Sequence, residues 1–201
     1  MNIKKVVNFI FELGQLKRVR HNGFKLCGVK DPATVAEHGF RAAQIAYLLA
    51  VMEGYDNPEE AACILLVHDN SETRVGDADK MNAKYYENKA QAEAAAFADQ
   101  LELLGEDIKA KWQKYYEAIE GRATPAGVIA KDADWLEVAF QAKEYADLGY
   151  RSAKDIIHNV EKAVETGSAK KLIAEMKDTE FTDWWQGLKR MTYEKLDNNG
   201  S

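Results

Sequence analysis

The sequence predicts an all-α protein. Three observations predict it. Apolar residues recur at three- and four-residue spacing along most of the chain. Helix-opening pairs stand at Asn57-Pro58 and Thr124-Pro125. Stretches of strict polar–apolar alternation are nearly absent. Taken in order, residues 2–19 form an amphipathic segment with Ile3, Val6, Val7, Ile10, Phe11 and Leu13 at helical spacing. Residues 20–33 are rich in Gly and charge and read as a loop, with a short extended piece at 24–29. Thr34 can cap a helix through about Glu53. Asn57-Pro58 opens the next helix, which carries the apolar run 61–67 to His68, and Gly76 breaks it. Asn82 can cap a long helix from Ala83 to Leu104 that Gly105 ends. A shorter helix follows at 107–120. Thr124-Pro125 opens a helix to about Leu148, closed by Gly149. Ser152 and Ser168 can cap two more, reaching about residue 195, and residues 197–201 are expected to fray.

The bulk properties narrow the function classes. At 201 residues the chain is expected to be one domain. A formal net charge of -6 argues against a nucleic-acid polymer as partner, because such binders carry a basic excess. A small phosphorylated ligand needs only a local positive patch. No segment is long and apolar enough to span a bilayer, and the N-terminus does not read as a signal peptide. The two cysteines, Cys27 and Cys63, imply no disulfide framework, so a cytoplasmic, reducing location is expected. Cys63 lies within the apolar run and is expected to be buried.

The most informative pair is His68-Asp69, at the end of that apolar run. Burying either side chain without a partner is costly. A divalent cation satisfies both, since neutral imidazole and carboxylate are ordinary ligands for first-row ions. If the helix runs one turn further, Glu72 joins the face of His68, and the loop beyond offers Asp77. His38 shares a face with Val35, Ala42, Ile45 and Leu49, so it is a polar residue on an apolar stripe. Taken alone, His38 also fits a core histidine bonded to a backbone carbonyl. Beside His68-Asp69 it fits a metal shell. A further ligand should come from Lys131-Asp132-Ala133-Asp134, and periodicity leaves Asp132 and Asp134 both open. The basic stretch Lys17-Arg18-Val19-Arg20-His21 fits either a solvated helix end or a phosphate cradle.

Val-Ala-Glu-His at 35–38, His-Asp-Asn-Ser-Glu-Thr-Arg-Val-Gly-Asp at 68–77 and Lys-Asp-Ala-Asp at 131–134 stand in that order. Together they resemble the HD-domain metal-dependent phosphohydrolases, more closely the 5′-deoxynucleotidase branch. The likeness runs from about Leu16 to Tyr150. It implies an HD-domain helical bundle spanning 1–201, with the metal site between central helices and the segment 152–195 packed on the core. It implies His38, His68, Asp69 and Asp134 as metal ligands, and so prefers Asp134 to Asp132. It implies Glu72 and Asp77, with Asp69, as catalytic groups or, for Glu72 and Asp77, as ligands of a second cation. Substrate contacts are implied at Arg18, Arg20, His21, Phe24, Asp77 and Lys80. The implied cofactor is a divalent ion, whether Co, Mn, Mg, Zn or Fe, and the implied assembly is a homodimer. The chain departs from the family at His21-Asn22-Gly23-Phe24, at Gly39 and at Ala78-Asp79-Lys80, which bears on sugar and base selectivity.

The expected reaction is hydrolysis of (deoxy)nucleoside 5′-monophosphates to nucleoside and phosphate. An HD-domain phosphodiesterase or a nucleotide pyrophosphohydrolase would use the same site on another substrate. A non-enzymatic helical binding protein, whose polar core residues only fix packing, is a third reading.

Overall fold

Three helices that cross at alanines set the architecture. In the computed structural model, which describes residues 1–186, these are α2 (Val35–Met52), α3 (Pro58–Val67) and α8 (Pro125–Asp147). Helix α2 packs on both α3 and α8. Ala42, Ala46 and Ala50 of α2 and Ala130, Ala133, Ala139 and Ala142 of α8 are all buried, which lets the backbones approach closely. Leu49, Ile64, Leu65 and Leu136 fill the spaces between them. Each such burial stabilises the fold by about 1.5–3 kcal/mol.

Around this core lie α1 (Ile3–Leu13), α4 (Glu72–Val75), α5 (Lys80–Ala83), α6 (Lys89–Leu101), α7 (Glu106–Gly121), α9 (Ala153–Ala163) and α10 (Gly167–Asp178). Among the described residues there is no strand, only one backbone bridge between Arg20 and Thr34. No helix among them is long and apolar enough to cross a membrane. The bridge matters for the site. His21 N–H donates to the Ala33 carbonyl (2.9 Å) and Val35 N–H to that of Val19 (3.0 Å). The segment 19–21 is thereby pinned beside the first turn of α2. Thr34 opens that helix with a reciprocal cap: its hydroxyl accepts from Glu37 N–H, and Glu37 accepts from Thr34 N–H.

Several expected elements differ in detail. Residues 14–17 and 22–27 form tight three-residue-per-turn helices, so no extended piece forms at 24–29. Phe24, only 1% exposed, anchors the second of these, and Gly28 closes it with φ +87°. The long helix expected from Ala83 to Leu104 is broken. Asp79 caps α5 by accepting from the N–H groups of Met81 and Asn82, which puts Asn82 inside a turn instead of before one. The chain restarts at Lys89, with Asn88 in the cap position. Tyr85, Tyr86 and Asn88 have low helix propensity, and no core contact compensates for it.

Helix α10 is capped by Thr166, not Ser168. Cys63 is exposed, because Ala61, Ile64 and Leu65 take the core-facing side of α3. The apolar stripe of α1 faces solvent at Ile3, Ile10 and Phe11, while Phe9 alone is buried, against Trp112. Expectations for residues 187–201 lie outside the described residues.

Candidate metal centre

His38 points inward from α2, His68 closes the C-terminal end of α3, Asp69 follows it, and Asp134 lies midway along α8. Three separate helices therefore deliver side chains to one point. His38 Nε2 is 3.2 Å from Asp134 Oδ1 and 3.7 Å from Asp69 Oδ2. His68 Nε2 is 3.1 Å from Asp69 Oδ1 and 3.8 Å from Asp134 Oδ1. Ligands about 2.1 Å from one ion stand roughly 3–4 Å apart, so this spacing fits a common centre.

The imidazole partners sharpen the fit. His38 Nδ1 meets Glu137 Oε2 at 2.5 Å, and His68 Nδ1 donates to the Leu65 carbonyl at 2.8 Å. With Nδ1 the proton-bearing nitrogen, each neutral ring turns its Nε2 lone pair toward two carboxylates. That arrangement is repulsive unless the ring takes a second proton or a cation sits between. The titration behaviour says the same. Burial pulls the pKa of His38 down, but Asp134 and Glu137 outweigh it and hold it well above the ordinary value. His68 is likewise raised, with Asp69 and Asp134 overcoming burial. Asp134 goes well below the usual range: burial opposes ionisation, but Lys131 and both imidazoles prevail. The site is thus built to hold positive charge. His38, Glu137 and His21 also come together. There Glu137 is already taken by His38 and by Arg41, so it reads as a support for the ring.

The choice left open at 131–134 is resolved by where the chains go. Asp132 turns away, accepting from Glu165 N–H (3.0 Å) and from the N–H and hydroxyl of Thr166 (2.7 Å each), so it fixes the capping residue of α10. Asp134 faces the histidines and receives the Lys131 ammonium at 2.8 Å.

A second acidic pair lies alongside. After α3 the backbone tightens into three-residue turns, with Asn70 N–H bonded to Val67 and Glu72 N–H to Asp69, so the regular helix does not run the further turn to Glu72. Glu72 nevertheless turns inward. It is 9% exposed, and its Oε2 has no partner. Burial, then Asp69 and Asp77, push its pKa up to about 10. Asp77 is also raised, chiefly by burial, although it accepts from Asn22 N–H at 2.5 Å. His21 lies over His38 with ring centroids 4.6 Å apart, and its buried Nδ1 lacks a partner. Burial and His38 keep His21 neutral-leaning, below the usual histidine value. Asp77, Asn82, Tyr85, Tyr86 and Lys89 line a cleft of about 550 Å³.

The remaining candidates stand further out. Arg18 folds back on the end of its own turn, donating to the Gly14 carbonyl at 3.2 Å. Arg20 pairs with Asp31 (2.8 Å) and the Pro32 carbonyl. Phe24 lies in the core behind His21 and against Tyr145, where it backs the ring. Lys80 is exposed in the first turn of α5.

Comparison with known proteins identifies the family. A sequence model described as the HD domain matches residues 13–177. The chain belongs to the HD-domain family. The 5′-deoxynucleotidase HDDC2 of Bos taurus is 30% identical over 145 residues, covering 72% of this chain and 70% of the relative. A 5′-deoxynucleotidase of Pasteurella multocida is 26% identical over 171 residues, covering 81% and 86%. Among solved structures, a conserved hypothetical protein from Pyrococcus furiosus superposes with a TM-score of 0.70 at 28% identity, covering 86% of this chain and 99% of that one.

Some residues around this HD-domain site escaped the sequence reading. Glu137 and Arg41 support His38, Asn22 holds Asp77, and Gln100 of α6 donates to the Asn70 carbonyl, bracing the turn after Asp69. A signal existed for the first two. Asp134, Glu137, Gln141 and Glu144 repeat at helical spacing on one side of α8, and Arg41 lies one turn beyond His38. Asn22 and Gln100 are joined to the site only by tertiary contact.

Proposed function

We propose that the protein is a metal-dependent phosphomonoesterase that hydrolyses (deoxy)nucleoside 5′-monophosphates to nucleoside and phosphate. One observation carries the reading: two imidazoles fixed through Nδ1 present Nε2 to Asp69 and Asp134, beside a buried carboxyl at Glu72 with a free oxygen. The names of the bovine and Pasteurella relatives support the same substrate class. His38, His68, Asp69 and Asp134 would hold the cation. Such an ion acts as a Lewis acid on a phosphoryl oxygen and makes water a usable nucleophile near neutral pH.

The chain's own groups do the rest. Glu72, buried beside the centre with one oxygen free, is placed to give a proton to the departing 5′-oxygen when protonated and to accept one from water when ionised. Asp77, braced by Asn22, and the unpartnered Nδ1 of His21 offer hydrogen bonds to the sugar side. Glu72 and Asp77 could also share a second cation. Lys131 and Lys89 bring positive charge to the acidic cluster, and Arg18, held only by exposed contacts, can turn to a phosphate at little cost. Phe24 fixes the wall behind His21. Arg20 and Lys80 are rim groups.

The same reading takes residues 1–201 as one domain. Its support is that α9 and α10 pack on α8, and that Asp132 of α8 accepts from Thr166, the residue that caps α10. A homodimer is supported by the apolar outer face of α2, where Phe40, Leu48, Val51 and Met52 are exposed. A cytoplasmic location is supported by two free thiols.

The test is product analysis, for free phosphate, pyrophosphate, nucleoside and nucleoside monophosphate, after incubation with nucleoside monophosphates, cyclic nucleotides and guanosine polyphosphates, each with Co, Mn, Mg and Zn. We expect phosphate release from 5′-monophosphates, and its loss with bound metal in Asp69→Ala. Turnover confined to cyclic or polyphosphate substrates would replace the reading with a phosphodiesterase or pyrophosphohydrolase. A wild-type melting temperature indifferent to chelator, with no turnover, would leave a binding protein.

A further inference from the structure

Behind His38, away from the carboxylates, lies a chain of polar contacts that the reaction itself does not use. Glu137 is 2% exposed, and both of its oxygens are committed. Oε2 takes His38 Nδ1 at 2.5 Å, and Oε1 accepts from Arg41 Nε at 2.9 Å and Nη2 at 2.7 Å. Arg41 is itself fixed from outside: Nη1 donates to Glu144 Oε1 at 2.5 Å and Nη2 to Gln141 Oε1 at 3.2 Å. Glu144 is in turn bonded by the Gln141 amide at 2.8 Å. The network reaches the surface at a pocket of about 460 Å³ lined by Arg20, Arg41, Gln141 and Tyr145.

We propose that Arg41 is a positioning residue for the cation centre: through Glu137 it sets the ring plane of His38 and aims Nε2 at Asp69 and Asp134. The inference rests on the metal-centre reading above. The physical case has two parts. A carboxylate that grips one imidazole nitrogen decides which nitrogen is left for a cation, and such outer partners govern affinity strongly. Glu137 alone could not hold that orientation, because a carboxylate pivots about its own side-chain torsions. The guanidinium removes that freedom: two of its nitrogens grip one oxygen, while its other contacts tie it to the next turn and the turn after on α8. A lysine could supply the charge but not the fork. The polar contacts of Arg41 go to Glu137, Gln141 and Glu144, so its reach to the cation centre runs through Glu137.

The test is Co affinity measured by competition with a chromophoric chelator, on wild type, Arg41→Gln and a Gln141→Ala/Glu144→Gln double variant. No substrate enters that measurement. In Arg41→Gln we expect Co affinity to fall about 10- to 100-fold. Phosphate release at saturating Co should stay within a few-fold of wild type, with KM unchanged. The double variant leaves Arg41, Glu137 and His38 in place but loosens the outer tethers, and should lose roughly 3- to 10-fold, a fraction of the same effect. Wild-type affinity in Arg41→Gln overturns the proposal. If that variant does not fold, wild-type affinity in the double variant overturns it. A wild-type protein that binds no Co at all refutes the metal-centre reading itself, a separate outcome.

Discussion

Asp132 and Asp134 are two residues apart on one helix, both buried, and the structure gives them unrelated work. Asp132 holds the chain entering α10 through three donors: the N–H groups of Glu165 and Thr166 and the Thr166 hydroxyl. Asp134 faces His38 and His68. In Asp132→Ala those three donors lose their acceptor. A buried donor left unmet costs about 1–3 kcal/mol, and water can reach part of this site from the side of the exposed Glu165. We therefore expect a loss of about 3 kcal/mol, or about 6–12 °C in melting temperature for a chain of this size. At temperatures well below that midpoint, Co affinity and phosphate release should match wild type. Asp134→Ala should do the reverse. Removing a direct ligand should weaken Co binding by more than about 100-fold, beyond what an outer partner contributes. Differential scanning calorimetry with chelator, beside the Co titration, separates the two outcomes. Loss of Co affinity in Asp132→Ala, with Asp134→Ala left intact, would refute the assignment of roles.

Two further outcomes follow from packing and charge. A Cβ added at Gly127 would lie 1.9 Å from the Ala118 carbonyl oxygen, so Gly127→Ala must push the start of α8 away from the end of α7. Its expected effect is a loss of about 1–3 kcal/mol or more in urea unfolding, and a wild-type midpoint would contradict the close approach. In the metal-free protein Glu72, His38 and His68 all hold protons more tightly when folded than unfolded. Their contribution to stability is complete below their unfolded values and is lost as pH rises through the folded ones. With chelator present, the urea midpoint should therefore fall between about pH 5.5 and pH 8.5, and saturating Co should flatten or reverse that slope. A chelated protein more stable at pH 8.5 would count against the charge balance described.

Much of the architecture could be read from periodicity and punctuation. Thr34 and Thr124-Pro125 open helices as their chemistry requires, because a side-chain oxygen or a fixed proline φ acts within one turn. The failures fall where local preference is nearly balanced. Asn82 and Asp79 compete to cap the same turn, and only the placement of the surrounding loop decides for Asp79. Ser168 and Thr166 compete in the same way, and the Asp132 carboxylate decides for Thr166. For the site, His38 and His68-Asp69 announced themselves as polar residues on apolar faces. Asp134 could not be separated from Asp132 by spacing, since the deciding partners lie over thirty residues away at Glu165 and Thr166. The apolar stripe of α1 could be read as a stripe but not placed, because amphipathicity states that one face differs from the other, not which face meets the core.

The same alanine-lined crossings that stabilise the bundle also create its electrostatic problem. Bringing α2, α3 and α8 this close places Asp69, Glu72, Asp77 and Asp134 around two imidazoles, with Lys131 and Lys89 beside them and Arg41 behind Glu137 as permanent cations. The metal-free fold lowers that charge by holding a proton on Glu72 and by keeping the histidines ready to take theirs. A bound divalent ion does it more completely, and because the unfolded chain has no such centre, the binding energy adds to folding. At a free concentration one hundred times its Kd the gain is about 2.7 kcal/mol. Helix packing, ion binding and proton uptake are therefore linked through the same few side chains. A substitution that opens the α2–α8 crossing, such as Ala46→Leu, should weaken the core and the cation site together, whereas one at the exposed Phe40 should leave both unchanged.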